Sequence, residues 1–188
     1  MSNETLVGQL REMYGRVAYT HKTHEKMADR YIARYKRIKT AEICISALTA
    51  SSVVLAVFGD TKTATIIGAI FSAVLLGLLL YFKEASLGEQ AQKHTVVASR
   101  LWGSRERLLG ILVDLNRSGD SERAAAQRDS INEELEAIYR GAPRTDSKSY
   151  AAAQRALKEQ EELFFSDSEL DHLLPKQLRE PAKPPADK

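Results

Sequence analysis

Two long apolar segments near the middle of the chain dominate its pattern of hydrophobic and polar positions. Between residues 41 and 82 the only charged side chains are those of Glu42, Asp60 and Lys62. The segments 41–58 and 63–82 contain 18 and 20 residues, and as α-helices they would span about 27 and 30 Å. The hydrocarbon core of a bilayer is about 30 Å thick. We therefore predict a transmembrane helical hairpin with a short outer turn at 59–62.

The alternative is a pair of buried helices in a soluble bundle. A core helix of a soluble protein normally keeps a polar stripe that faces water. In the second segment Ser72 is the only polar side chain between Ile66 and Leu80, so this segment has no such stripe. The pattern therefore favours the membrane over the soluble bundle.

Helical periodicity continues on both sides of the hairpin. An N-terminal helix is predicted by the apolar face Leu6, Leu10, Met13 and Val17, and a long second helix by the uninterrupted stretch from about residue 20 to residue 58. After the hairpin, leucines repeat every seven residues in a third helix, at about 84–116. These are Leu101, Leu108 and Leu115.

Three more helices are predicted toward the C-terminus. One covers about 121–140 and stops at Gly141 and Pro143. The next begins after Asp146 or Ser147 and extends through Phe164. A capping box at Ser166 and Glu169 opens a short last helix.

The predicted fold class is all-α, a transmembrane hairpin joined to a cytosolic helical bundle. Residues 1–40 form the N-terminal cytosolic helices, residues 83–174 form a cytosolic helical region, and the proline-rich tail 175–188 is expected to be disordered.

Charge predicts the topology and limits the partners. Basic side chains crowd both inner flanks of the hairpin, whereas Lys62 stands alone in the turn. By the positive-inside rule both termini lie in the cytoplasm of a multi-pass membrane protein. The net charge of +2 is too small to indicate a nucleic-acid partner, so the lipid bilayer is the expected partner. The single cysteine, Cys44, lies in the first crossing and excludes an intramolecular disulfide.

Two helix faces in the hairpin are candidates for function. On a helical wheel one sector of the first crossing is polar toward the cytosol and apolar further out. Its members are the candidate pore-lining residues Glu42, Ser46, Thr49, Val53 and Ala56. In the second crossing, Ile67, Phe71, Val74 and Leu78 are assigned to lipid. The candidate helix-packing residues are the small ones, Ala69, Ser72, Ala73 and Gly77.

No enzyme signature is present in the sequence. It contains no glycine-rich phosphate loop, no HExxH zinc helix and no nucleophile elbow, so we expect neither catalysis nor a cofactor. His21 and His24 can share a helix face, but no third ligand accompanies them, so no metal site is predicted. Trp102 is interpreted as a packing anchor rather than as a platform for stacking a ligand. The basic stretch 30–39 fits contact with anionic lipid and fits topology determination equally well.

The order of parts resembles the SLATT family, the SMODS- and SLOG-associating two-transmembrane effector domains of bacteria. The resemblance covers about residues 5–165. The post-hairpin helix carries it through Lys93-His94, Ala98, Trp102, Arg105, Leu108, Ile111 and Asp114-Leu115, and the segment before the Tyr150 helix carries it through Ala142-Pro143-Arg144-Thr145. The resemblance implies a membrane effector in bacterial conflict systems. Such effectors are often encoded beside nucleotide-signalling partners and are thought to form pores or disrupt the inner membrane.

Two functions from different classes remain open. The first is a pore-forming or membrane-disrupting effector of antiviral defence. One hairpin cannot enclose a water path, so this function requires a homo-oligomer and a trigger from a partner or a nucleotide signal. The second is a membrane-tethered scaffold or sensor that recruits a partner without permeation.

Overall fold

The computed structural model describes residues 3–59, 62–175, 177 and 179. Within these residues all the regular secondary structure is helical and there is no strand, which confirms the all-α fold class. The helices are α1 (Asn3–Gly59), α2 (Lys62–Ala85), α3 (Leu87–Ser118), α4 (Ser121–Gly141), α5 (Ser147–Lys158) and α6 (Asp167–Leu173). The predicted tail 175–188 lies outside the described residues except for positions 175, 177 and 179.

The first helix is one unbroken rod that belongs to both parts of the molecule. At 57 residues, α1 is about 85 Å long. The sequence pattern predicted two helices before the outer turn, but the structure joins them, and Gly8 and Gly15 lie in regular helix. The N-terminal segment around Leu6 and the apolar segment around Ile45 are therefore parts of one helix.

α2 and α3 together form the antiparallel partner of α1. Ser86 separates them in the left-handed conformation, with φ 38° and ψ 43°, so α3 starts at Leu87 instead of the predicted position 84. α2 packs on the apolar C-terminal half of α1 and α3 on its N-terminal half. Gly119, at φ 70°, ends α3 and donates its N–H to the Leu115 carbonyl at 2.9 Å.

The two crossings pack through one seam whose members recur at alternating steps of four and three residues. All twelve are buried or half-buried: Ile38, Glu42, Ile45, Thr49, Ser52 and Ala56 on α1, and Ala64, Gly68, Phe71, Leu75, Leu78 and Phe82 on α2. This is the spacing of a coiled-coil seam. The closest approach is at Gly68, where an added Cβ would lie 3.3 Å from the Ser52 Cβ.

The helical bundle outside the apolar segments has an apolar core built by three helices. Leu6, Leu10, Met13 and Val17 of α1 meet the leucine face of α3 and the inner face of α4, which includes Ile131, Leu135 and Ile138. α4 begins at an N-cap, Asp120, whose side chain accepts from the Arg123 N–H at 3.0 Å. The bundle therefore extends the α1–α3 pair into three layers of helix.

α5 lies against α1 just below the membrane segment. Its N-cap Asp146 accepts from the Ser149 N–H at 2.7 Å and also pairs with Arg30 of α1 at 2.5 Å. The sequence predicted a helix through Phe164, but α5 ends at Lys158, and Glu161 and Leu163 adopt left-handed conformations that end the helical run. The capping box at Ser166 opens α6 as predicted.

Both apolar helices expose their surface instead of burying it. Each is long and apolar enough to cross a membrane, and only 6% of the most apolar window of each is buried within the chain. Core helices of a soluble bundle would bury most of such a window. The soluble alternative is therefore disfavoured, because these side chains need an apolar environment from outside the chain.

Candidate functional site

The candidate pore-lining residues divide into two groups in the structure. Glu42, Thr49 and Ala56 lie on the seam against α2, whereas Ser46 and Val53 are exposed beside it. The wheel placed all five in one sector because the seam itself passes through that sector. Within one copy, only Ser46 and Val53 of this set remain available to a water path or to another chain.

Glu42 is already paired at the N-terminal end of the first crossing. Its carboxylate accepts from Lys39 Nζ at 2.8 Å, and that ammonium group also lies 4.8 Å from the centre of the Phe82 ring. Its side chain is only 19% exposed. A single copy therefore presents a neutral ion pair at this level and not a free carboxylate.

The candidate helix-packing residues do not pack within one hairpin. Ala69, Ser72, Ala73 and Gly77 are exposed, and Gly68 makes the close helix contact in their place. Phe71 and Leu78, which were assigned to lipid, are half-buried on the seam. The four-three spacing from Ala64 to Phe82 is the signal that would have located this seam. A role for the four small residues between copies stays a prediction.

Aromatic and basic side chains lie where the hairpin meets the rest of the chain. The rings of Tyr35 and Phe82 are 5.0 Å apart, and Arg34 donates to the Tyr81 hydroxyl while its guanidinium lies 5.8 Å from the ring centre. Such residues are enriched where a transmembrane helix meets the headgroups. This layer joins α1 to the end of α2 at the level expected for the interface.

Below this boundary three histidines form a buried polar layer between α1 and α3. The Nδ1 atoms of His24 and His94 are 2.9 Å apart, and Nδ1 of His21 lies 2.9 Å from the Ala98 carbonyl oxygen. Tyr31 stacks on His94 with ring centres 5.6 Å apart. The sequence pattern pointed to His21 and His24 but not to His94, because the contact between His24 and His94 joins residues 70 positions apart.

Burial favours the neutral forms of His24 and His94 in this layer. Desolvation, followed by the nearby His94 and His21, lowers the pKa of His24 to about 4. Desolvation also lowers the pKa of His94, although the Asp146 carboxylate opposes the shift. A hydrogen bond between the two rings requires one nitrogen to donate and the other to accept. Among the described residues, no three histidine, cysteine or acidic side chains form a group that could hold a metal ion.

A groove of about 580 Å³ opens beside the histidine layer. Its wall includes the buried Lys22, whose Nζ lies 2.7 Å from Glu25 and 2.5 Å from Glu162, and Glu162 also pairs with Lys26 at 2.8 Å. Desolvation opposes the charge on Lys22, but the hydrogen bonds that Lys22 donates to Glu162 and Glu25 outweigh it and raise the Lys22 pKa. The hydrogen bonds from Lys22 and Lys26 lower the pKa of Glu162. These pairs hold the segment after α5 against α1.

Trp102 lines the same groove and is 51% exposed. From the sequence we interpreted Trp102 as a packing anchor, but on this turn of α3 the buried residues are its neighbours Leu101 and Ser104. Within the part of the chain that the structure describes, its indole is therefore available for contact from outside.

Comparison with known proteins agrees with this architecture. No curated protein and no solved structure matches the chain. The family model described as SMODS and SLOG-associating 2TM effector domain family 4 matches residues 6–169. That range contains both apolar helices, the histidine layer and the helices α3 to α5. The chain therefore belongs to this SLATT family of two-transmembrane effector domains and is a membrane protein.

Proposed function

We propose that the protein is a membrane effector of a bacterial antiviral conflict system and that it permeabilises the inner membrane by assembling into an oligomeric pore. It lies in that membrane with both termini in the cytoplasm, and a partner protein or a nucleotide signal triggers it. It acts without catalysis and without a cofactor. Family membership supports the effector role. The basic and aromatic layer of Arg34, Tyr35 and Tyr81 supports the orientation.

The observation that carries this proposal is the way the hairpin fills its own interior. Every side chain on the seam, from Ala64 to Phe82 on α2, packs toward α1, and Gly68 brings the two backbones close together. No water path fits between two helices packed in this way. Permeation therefore requires several copies that assemble through exposed positions, which include Ser46 and Val53.

The membrane potential of cells that express the protein tests this proposal. We expect a potential-sensitive dye to report depolarisation when the protein is activated, and Ser46→Leu to reduce the depolarisation at least tenfold. Ser51→Leu is the matched control, because Ser51 is exposed on another face and its hydroxyl bonds the Ala47 carbonyl of its own helix. Thr49 is a poorer target, since it packs on the seam. An unchanged potential in resting and in activated cells would sink the pore.

The second candidate is a membrane-tethered scaffold or sensor without permeation. The observation that favours it is the open groove with the half-exposed Trp102, which offers a partner a cytosolic surface. Pull-down with proteins encoded beside it separates the two functions. A scaffold keeps its partner in the Ser46→Leu variant and loses it in Trp102→Ala. A pore effector loses conduction in Ser46→Leu.

A further inference from the structure

One side of the rod formed by α1 with α2 and α3 is covered by neither α4 nor α5, and Glu162 and Leu163 of the segment after α5 reach its edge. α4 packs beside Met13 and Val17, and α5 packs on another side, where Ser149 meets Met27 and Tyr150 stacks on Tyr19. Ile32, Thr95 and Trp102 line the groove on the remaining side. They directly follow Tyr31, His94 and Leu101, which lie where α1 and α3 pack together. The same side therefore continues at seven-residue steps along each helix.

We name this side the open flank. It consists of Ile32, Ser46 and Val53 on α1, Ser72 and Leu79 on α2, and Thr95, Trp102 and Leu109 on α3. All eight residues are exposed, and the five apolar ones show 40 to 53% of their surface: Ile32, Val53, Leu79, Trp102 and Leu109. In the cytosolic part this is an apolar stripe at heptad spacing on a regular helix. Such a stripe is suited to packing against another helix.

The membrane part of the open flank exposes two hydroxyl groups at the same depth. Thr49, Ser51 and Ser52 each donate to the carbonyl four residues back in α1, whereas Ser46 and Ser72 bond no other described residue. Counting from the Ser52–Gly68 contact, Ser46 is six residues and Ser72 four residues nearer the cytosol, so their heights agree to about 3 Å. In lipid an unpaired hydroxyl is costly, and a neighbouring helix usually supplies its partner.

We propose that the open flank is the surface on which a second copy of this chain docks, flank against flank and parallel in the membrane. The inference rests on the proposed function, which requires assembly, and it names the surface that assembles. A partner that covers the whole flank must itself cross the bilayer and continue along the cytosolic stalk. A second copy does both. Rotation about an axis normal to the membrane sets Trp102 and Leu109 against their own copies, and hydroxyl against hydroxyl.

The size of the open flank fits a stable dimer. From Ile32 to Val53 it rises about 32 Å, and the stretch from Thr95 to Leu109 on α3 extends it by about 21 Å. Two helices are about 20 Å wide, so the flank offers about 1,000 Å². A standard stable interface buries about 800 Å² on each partner.

Charge substitution on α3 tests the proposal. The full-length protein is placed in bilayer nanodiscs and in detergent, and its mass is measured over a concentration series. We expect Leu109→Glu to weaken self-association about a hundredfold, because each dimer loses two buried leucines. Val96→Glu is the control, because Val96 is 47% exposed on a different face of α3 and its variant should associate like the wild type. Circular dichroism verifies that both variants keep their helices.

Disulfide formation gives a second, independent readout. In a Cys44→Ser background, Trp102→Cys should form a covalent dimer under mild oxidation, since flank-to-flank docking brings each residue to its own copy. Val96→Cys should not form one.

Each outcome decides the matter. Equal association of the two glutamate variants, or disulfide formation only at position 96, overturns the open flank as the docking surface. A wild-type protein that stays monomeric in nanodiscs overturns it too, together with the assembly that the pore requires. If dimers depend on Leu109 but the membrane potential of the cells never changes, the docking surface stands and the pore proposal fails. Depolarisation that Leu109→Glu leaves unchanged, with association also unchanged, keeps the pore and sinks this inference.

Discussion

A single glycine sets the spacing of the two crossings. Gly68 is buried against Ser52, where an added Cβ would meet the Ser52 Cβ at 3.3 Å, whereas Gly77 on the same helix has no atom within 4 Å of such a Cβ. We expect Gly68→Val to destabilise the hairpin by about 1 to 3 kcal/mol, because the larger side chain forces the helices apart. Thermal unfolding in detergent measures this.

Gly77→Val is the matched control for that experiment. It lies in the same helix and changes the same atoms but meets open space, so its melting temperature should stay near that of the wild type. Equal losses in both variants would show that helix propensity, and not the Ser52 contact, explains the effect.

The histidine layer makes stability depend on pH. The folded pKa of His24 is about 4, below its unfolded value of 6.5, so the unfolded state binds more protons between these values. Stability is therefore complete above pH 6.5 and falls as the pH drops toward 4, by about 3 kcal/mol at most. The charged or titratable groups that act on His24 are His94 and His21, and Tyr31 and Glu25 contact those two rings in turn.

Melting temperatures at pH 7.5 and pH 5 measure this dependence. His24→Gln removes the titrating ring and should flatten the response. His172→Gln is the control, since His172 is exposed on α6. Over this range Asp146 stays ionised, because the hydrogen bonds from Arg30 and the Ser149 N–H lower its pKa to about 2. A wild-type protein equally stable at both pH values would contradict the neutral pair.

At the scale of helices, the break between α2 and α3 depends on one residue. Ser86 has φ 38°, a conformation that costs a side chain with a Cβ about 1 kcal/mol or more and costs glycine little. We expect Ser86→Gly to raise the free energy of unfolding by up to about 1 kcal/mol. Ser99→Gly, in the regular helix of α3, should lower it by about 0.5 to 1 kcal/mol. Denaturation in detergent compares the two signs, and a loss in both variants would mean that position 86 is not strained.

The helices themselves could be predicted because their signals are local. The lengths of 41–58 and 63–82, the caps at Asp146 and Ser166, and the stop at Gly119 are all readable within a few neighbouring residues. The predicted end of α5 was wrong. Leu163 and Phe164 continue the apolar period of the helix, but Glu162 is held by Lys22 and Lys26 of α1. Propensity cannot register an ion pair between residues so distant in sequence.

The contacts that form the site were harder to predict for the same reason. The wheel found the sector around Thr49 but could not tell a face that meets α2 from a face that meets lipid, since both are apolar. Small residues pointed to Ala73 and Gly77, whereas the close contact uses Gly68. His94 meets His24 only because α3 returns antiparallel along α1.

At the scale of the whole molecule, the topology is open to direct measurement. In a Cys44→Ser background, Lys62→Cys at the start of α2 should react with a membrane-impermeant maleimide in cells whose outer membrane has been permeabilised. Lys36→Cys, on the opposite side of the first crossing, should react only after the inner membrane is also opened. The reverse labelling pattern would place the termini outside and contradict the orientation given by the basic residues.

The unbroken course of α1 has a mechanical consequence. α1 runs without a break from Leu6 to Ala56, whereas its antiparallel partner, formed by α2 and α3, is interrupted at Ser86. A twist applied to the cytosolic bundle therefore reaches the outer end of the first crossing with no hinge to absorb it. We expect a motion of the bundle to reach the apolar segments through α1 more directly than through α3 and α2, because only the second route crosses the break at Ser86.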